Sequence, residues 1–279
     1  MPASLEKYSV LMSVYAKVRP ADLDASIKSM VSQTVPPEQF ILVYDGPVGE
    51  DLKLVVTKYE NRYPDLFTIV SLEKNMGLAC ALNAGIAVAR NELVARMDSD
   101  DVSLPERCEK QLNAFRQDSE LSLLGTGTLD FTETPSDAKP SVCPYPTDFE
   151  TIKKKMRRMD PFAHPSMMYK KSAIEACGCY APELRRRQDY DLFSKMVNSG
   201  YKAGNLKEAL LYYRIDKDNF VRLKNRESSE SRLLVQKRLY KRGECGLFDY
   251  LYIWLAMKTT RFFPLPLYRL IYGLIKKMS

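Results

Sequence analysis

Glu92 to Asp101, ELVARMDSDD, is the stretch from which the rest of this chain can be read. Its short apolar run has the length of a buried strand, and it ends in three aspartates. Open α/β sheets place their ligand site at the C-terminal ends of such strands. Asp98 and Asp100 are two apart, so in extended chain they project the same way. Two carboxylates held together repel unless something positive sits between them. A hard divalent cation with oxygen ligands fills that role, and a bound diphosphate completes its shell. Asp98 and Asp100 are therefore candidate metal ligands. A plainer reading makes Asp100 or Asp101 the N-cap of a helix beginning near Pro105; both can hold.

Upstream, apolar runs alternate with helical patterns. Tyr8 to Tyr15, Phe40 to Tyr44 and Phe67 to Leu72 read as strands, with helices over Asp22 to Gln33, Asp51 to Tyr63 and Gly77 to Arg90. This alternation predicts an α/β fold with a parallel, doubly wound sheet. Downstream come a helix over Pro105 to Gln117 and a strand over Leu121 to Thr126. Thr132 to Thr147 holds four prolines and reads as a loop. A basic helix (Asp148 to Arg158), a strand near Ser166 to Tyr169, a short helix near Ser172 and a helix from Gln188 to Ser199 follow. Lys202 to Tyr213 reads as two short extended stretches. Lys224 to Arg242 reads as a charged helix, and Phe248 to Lys277 as an aromatic, basic tail.

The 279 residues, 45% hydrophobic, suffice for one large α/β domain with an extension. The net charge of +7 is uneven. Lys153-Lys154-Lys155 with Arg157-Arg158, and Arg185-Arg186-Arg187, form basic clusters suited to nucleotide diphosphates or acidic lipid. No nucleic-acid-binding motif accompanies them, so nucleic acid is not an expected partner. Six cysteines without a C-x-x-C pair and a single histidine argue against a Cys/His metal framework. No charged-then-apolar leader is visible, so a cytoplasmic protein with reduced thiols is expected.

Six or seven blocks in order now carry a resemblance: a strand ending SVY, one ending YDG, then KNMGLACALNAG, VARMDSDD, HPSMMYKK, RRRQDYDLF and LLYYR. Together they resemble family 2 glycosyltransferases of the GT-A fold, in particular bacterial enzymes building O-antigen, capsule or exopolysaccharide. The resemblance runs from about Tyr8 to Arg214. It implies a Rossmann-like sheet with helices on both faces, an inverting reaction, a nucleotide-sugar donor, Mn2+ or Mg2+, and an acceptor hydroxyl. The chain departs from the pattern at Ala16, where Asn is usual, at Gln188, where an acid is usual, and at Ile215-Asp216, where a His is usual. By the same resemblance residues 1–127 form the nucleotide-sugar half and 128–223 the acceptor half, with 224–279 a helical extension.

The resemblance also implies roles. Tyr15 and Asp45 would hold the nucleoside, Asp45 accepting from a uracil-like N–H; without it, Asp45-Gly46 is a plain turn. Asn75 can cap the helix after Gly77, whose N-terminus favours a diphosphate. Asn83 and Arg96 are further donor-binding candidates; Arg96, within an apolar strand, needs a carboxylate or phosphate partner. His164 is a candidate contact to donor or acceptor, or a satisfied loop residue. Asp189 matches the family's catalytic base. It also falls on the inward edge of a helix whose apolar stripe is Leu192, Phe193, Met196 and Val197. Asp191, roughly 200° away around the helix, should point outward and stabilise the helix or pair with Arg185 to Arg187.

The tail after Phe248 is too interrupted, at Pro264 and Pro266, to span a bilayer. Its aromatic and basic make-up suits peripheral contact with anionic lipid at the inner face of the plasma membrane; a helix pair packed on the domain is the alternative. The expected acceptor is a lipid-diphosphate-linked saccharide. Two other functions compete. A sugar-phosphate nucleotidyltransferase would need a glycine-rich loop after the first strand, which Ala16 to Pro20 lacks. A non-catalytic nucleotide-binding membrane partner would need neither Asp100 nor Asp189.

Overall fold

Four apolar runs and the helices that follow them build the part of the sheet that positions the site. In the computed structural model, which describes residues 7–141, 145–215 and 226–260, the first strands are β1 (Tyr8–Val14), β2 (Gln39–Tyr44), β3 (Phe67–Ser71) and β4 (Leu93–Asp98). They alternate with α1 (Pro20–Val31), α2 (Glu50–Arg62) and α3 (Leu78–Ala87). β1 lies between β2 and β4, parallel to both, and β3 flanks β2. The order therefore reverses at β1, and a crevice opens where the chain leaves in two directions. Side chains alternate across the sheet. Val10, Met12 and Val14 of β1 pack with α1, α2 and the later α4 (Arg107–Gln117), whereas Leu11 packs with α3 on the other face.

Beyond β4 the sheet is mixed. β5 (Val102–Ser103), β6 (Leu121–Phe131), β7 (Lys139–Pro140), β8 (Met168–Lys170) and β9 (Lys202–Arg214) extend it to nine strands, ordered β3-β2-β1-β4-β8-β6-β9-β5, with β7 on β6. β8 is antiparallel to both β4 and β6. The helices of this half are α5 (Phe149–Met156), α6 (Lys171–Ala176) and α7 (Gln188–Asn198), followed by α8 (Arg226–Lys241) and α9 (Leu247–Thr260). The expected α/β, GT-A-like architecture is the one observed.

Three local expectations change. Lys202 to Tyr213 is one long strand, not two. Its pairing with β6 shifts register beside Thr126 and Gly127, where Lys207 and Glu208 stand out to solvent. Such a bulge breaks the apolar alternation that would have revealed a continuous strand. Neither Asp100 nor Asp101 caps α4, whose N-cap is Glu106. Finally, α7 is enclosed on more than one side, because α8 packs over the face assigned to solvent. Asp191 is accordingly 0% exposed. Asp216 and the tail from Arg261 onward lie outside the described residues.

Candidate active site

Three strand ends converge on one cavity of about 850 Å3. β1 delivers Tyr15, β2 delivers Asp45, and β4 delivers Asp98 with Asp100; Asn75 and Gly77, before α3, complete that wall. The pairing of Ser13 with Asp98 and of Val14 with Tyr44 sets these ends level. Gly46 follows Asp45 with φ of +86°, and a Cβ there would meet the Asn75 backbone N at 2.4 Å. Only glycine lets the YDG and KNMG segments close on each other.

The role foreseen for Asn75 changes. It is not a cap: its Nδ2 donates to the Asp45 carbonyl at 3.2 Å, and the N-cap is Gly77. The Asp45 carboxylate accepts from the backbone N–H groups of Met76 (2.7 Å) and Gly77 (3.0 Å). The anion at the approach to α3 is thus the protein's own. A carboxylate has about four acceptor positions, so Asp45 keeps capacity for a further donor.

At the end of β4, carboxylate oxygens of Asp98, Asp100 and Asp101 lie within 4.8 Å of one another. Arg96, 1% exposed, finds its partner here: its guanidinium grips both oxygens of Asp98. Withdrawal from water and the adjacent Asp98 charge push the Asp100 carboxyl up to about 6, even though its outer surface is open. The same two causes push Asp101 well above the carboxylate range. Asp101 was not among the candidate ligands. Its Oδ1 accepts from the Arg214 backbone N–H at 2.8 Å, while its buried Oδ2 has no hydrogen-bond partner among the described residues. A buried carboxylate oxygen left unmatched beside two more carboxylates is the donor set that a hard divalent cation takes. The residues present fit such an ion.

Arg214, at the end of β9, organises the opposite wall. Its Nε donates to the Asp100 carbonyl (3.0 Å), Nη1 to that of Thr132 (3.1 Å) and Nη2 to Asp22 Oδ1 (2.9 Å), and it stacks 4.5 Å above the Phe131 ring. Asp22 also takes a forked pair from Arg19. Arg214, Arg19 and Lys17 all line the cavity. The motif LLYYR held Arg214 in view; nothing in the sequence singled out Asp22, which reads as an ordinary first-turn acid.

Asn83, Arg96, His164 and Asp189 are not among the lining residues. Asn83 spends its amide on the Tyr180 backbone, donating to the carbonyl (2.8 Å) and accepting from the N–H (3.0 Å). His164, 8% exposed, contacts Tyr180 Oη through Nε2 at 2.9 Å and approaches Asp189 Oδ2 through Nδ1 at 3.6 Å. Burial, with the Arg96 charge, holds its pKa well below the ordinary histidine value, so the ring is neutral and no ion pair forms. Asp189 stands at the start of α7, with Oδ1 accepting from the Tyr190 N–H at 2.9 Å. Burial raises its pKa, against the lowering charges of Arg96 and Arg187. Arg96 thus grips Asp98 and is felt at Asp189. Asp160 was also missed: burial and the Asp189 charge raise its carboxyl well above the usual range. Arg187, the N-cap of α7, holds left-handed backbone at φ of 61°, an uncommon state for a side chain with a Cβ.

Asp191 pairs with a different cluster from the one expected. Arg238 Nε (3.0 Å) and Arg242 Nη1 (2.7 Å), both from the C-terminal helical region, hold its Oδ1. Arg185 to Arg187 had been the expected partners.

The family model for glycosyl transferase family 2 matches residues 9–178. The chain belongs to that family. It is 34% identical to the amylovoran biosynthesis glycosyltransferase AmsE of Erwinia amylovora, over 97% of this chain and 94% of that one. It is 30% identical to an Escherichia coli UDP-Gal:alpha-D-GlcNAc-diphosphoundecaprenol beta-1,3-galactosyltransferase, over 88% of this chain and 87% of that one. Among solved structures, the mannosyltransferase PcManGT of Pyrobaculum calidifontis, in complex with GDP-Man and Mn2+, shares the fold. Its TM-score is 0.65 at 16% identity, over 99% of this chain and 75% of that one.

Proposed function

We propose that this glycosyltransferase inverts configuration and moves a sugar from a UDP-linked donor to a hydroxyl of a lipid-diphosphate-linked saccharide, in bacterial surface polysaccharide synthesis. The carrying observation is the convergence of Tyr15, Asp45, Asn75 and Gly77 with Asp98 and Asp100 on one cavity. Tyr15, 46% exposed, offers a ring for the base. Asp45 offers an acceptor for a uracil N–H. Lys17, Arg19 and Arg214 lend positive charge for phosphate. Asp98 and Asp100, with Asp101 behind them, would hold Mn2+ or Mg2+, which when bound supplies Lewis-acid neutralisation of the leaving diphosphate.

Asp189 is the proposed base. Its raised pKa makes it a stronger proton acceptor than an ordinary carboxylate. It takes the proton from the acceptor hydroxyl as that oxygen attacks the anomeric carbon opposite the diphosphate. One bond forms, one breaks, and an α-linked donor yields a β-glycoside. His164 supports this step from behind: its neutral ring, tethered to Tyr180, faces Asp189. The UDP donor and lipid-linked acceptor follow the chemistry named for the E. coli relative. Peripheral attachment to the inner face of the membrane follows from that acceptor. No helix among the described residues is long and apolar enough to cross a membrane.

Calorimetry with UDP and Mn2+ tests the site. Asp100→Ala should abolish metal-dependent binding while far-ultraviolet circular dichroism stays unchanged; unchanged metal-dependent affinity sinks the assignment. A panel of nucleotide sugars, assayed for nucleoside-diphosphate release with lipid-linked acceptors, identifies the donor.

A further inference from the structure

α9 carries a continuous apolar stripe on the protein surface. Leu247 is 54% exposed, Phe248 72%, Leu251 49%, Trp254 42% and Leu255 57%. Positions i, i+1, i+4, i+7 and i+8 form one face of a helix. The opposite side is already used: Ile253 is buried, and Tyr250 stacks on Tyr240 of α8 at 5.3 Å. A contiguous apolar patch of this kind on an exposed face marks a contact surface.

Its surroundings identify the partner. Arg158, just past α5, lays its guanidinium over the rings of Phe248 (5.5 Å) and Tyr252 (5.1 Å) and donates to Asp249 at 2.6 Å. Arg158 therefore ties the end of the basic helix α5 to the start of α9. Lys153, Lys154 and Arg157 border a shallow depression there, with Glu150 as the one acid among its lining residues. An apolar stripe beside a surplus of exposed cations is complementary to anionic headgroups over acyl chains. A second copy of the chain would bring the same cations to the contact. With one face apolar and exposed and the other packed on α8, the described helix lies along the interface.

We propose that the stripe of α9 and the basic rim of α5 together dock this protein on an anionic lipid bilayer. This deepens the reading above, and rests on it for the lipid-linked acceptor. The docking helix packs on α8, and Arg238 of α8 grips Asp191 of α7. The helix that carries Asp189 thus lies directly behind the membrane-facing layer.

The chain has one tryptophan, Trp254, and it sits in the stripe. Adding phosphatidylglycerol vesicles to the full-length protein at low salt should shift its emission to the blue. Vesicles with brominated acyl chains should quench it, and phosphatidylcholine vesicles should do neither. Lys153→Gln with Lys154→Gln should weaken vesicle affinity by about twenty-five-fold, taking about fivefold per charge near the surface. Leu251→Glu with Leu255→Glu should abolish the shift. UDP–Mn2+ binding, measured on the same samples, should stay unchanged in both double variants. Wild-type emission indifferent to anionic vesicles overturns the proposal. So does a shift that survives Leu251→Glu with Leu255→Glu, or one that depends on protein concentration without lipid, which would mean self-association. Vesicle docking by a protein that binds no UDP would leave this surface standing and remove the UDP-donor reading instead.

Discussion

Asp189 and Asp191 are two residues apart on one helix, and their substitution should fail in different ways. Asp189→Asn keeps the shape and removes the proposed proton acceptor, so transfer should slow by about 10²–10⁴-fold with UDP binding little changed and melting temperature not lowered. Asp191→Asn leaves Arg238 and Arg242 facing a buried amide. Both arginines keep partial solvent access, at 28% and 26%, so the loss should be about 2–3 kcal/mol of stability, below the range for a wholly buried pair. A lower urea midpoint with near-normal turnover of the folded fraction is the expected result. A slow but fully stable Asp191→Asn enzyme would exchange the two roles. Asp100 carries a pH signature. Its folded pKa, about 6, exceeds the unfolded value of about 3.9. Between those values the folded state holds a proton that the unfolded state has lost, so this group's contribution to stability falls as pH rises, and is lost above 6. In chelator, Asp100→Asn should therefore melt higher than wild type at pH 7, and the gain should shrink toward pH 4. Thermal melts across that range check the sign.

α3 is seated closely on the sheet at Gly85. A Cβ on Gly85 would lie 2.1 Å from Leu11 Cδ1, 3.1 Å from Val43 Cγ2 and 3.4 Å from Ile41 Cγ2. Two effects compete in Gly85→Ala: helix propensity gains up to about 1 kcal/mol, and overpacking costs about 1–3 kcal/mol. Leu11, Ile41 and Val43 are all wholly buried, so they cannot swing aside, and overpacking should win. Denaturant unfolding should show a net loss of about 1–2 kcal/mol; a more stable variant would mean that the β1 and β2 side chains repack freely. The same elements explain what was legible. β1, β2 and β4 are continuous apolar runs because both of their faces are covered, and such runs stand out in a sequence. β9 did not stand out, because its bulge at Lys207 and Glu208 interrupts the alternation. Asp191 was misplaced because a helical wheel ranks faces by their own apolar residues. It carries no information about a second helix supplying arginines from about fifty positions downstream.

For the molecule as a whole, the proposed donor site predicts a linkage. UDP with Mn2+ should raise the melting temperature, by about 2.7 kcal/mol of added stability at one hundred times Kd, and either component alone should do much less. Differential scanning fluorimetry with Asp100→Ala as control checks this; equal shifts from UDP without metal would separate nucleotide binding from the acidic cluster. The amino-acid order was enough to foresee the α/β alternation, the strand that ends in Asp98, the residues Tyr15, Asp45, Asn75, Gly77 and Asp100 that line one cavity, and the family. Strand ends and turns are written in consecutive residues, and a parallel sheet brings such ends to one edge whatever the loops do. Folding in three dimensions decided the rest: that Arg96 serves Asp98, that Asn83 clamps Tyr180, that a neutral His164 backs Asp189, and that Asp101, Asp22 and Arg214 join the site. Each of these depends on a contact between segments or on which oxygen is left unmatched. Side-chain charge is compensated through space, so the partner of a buried ion is settled only when distant parts of the chain meet.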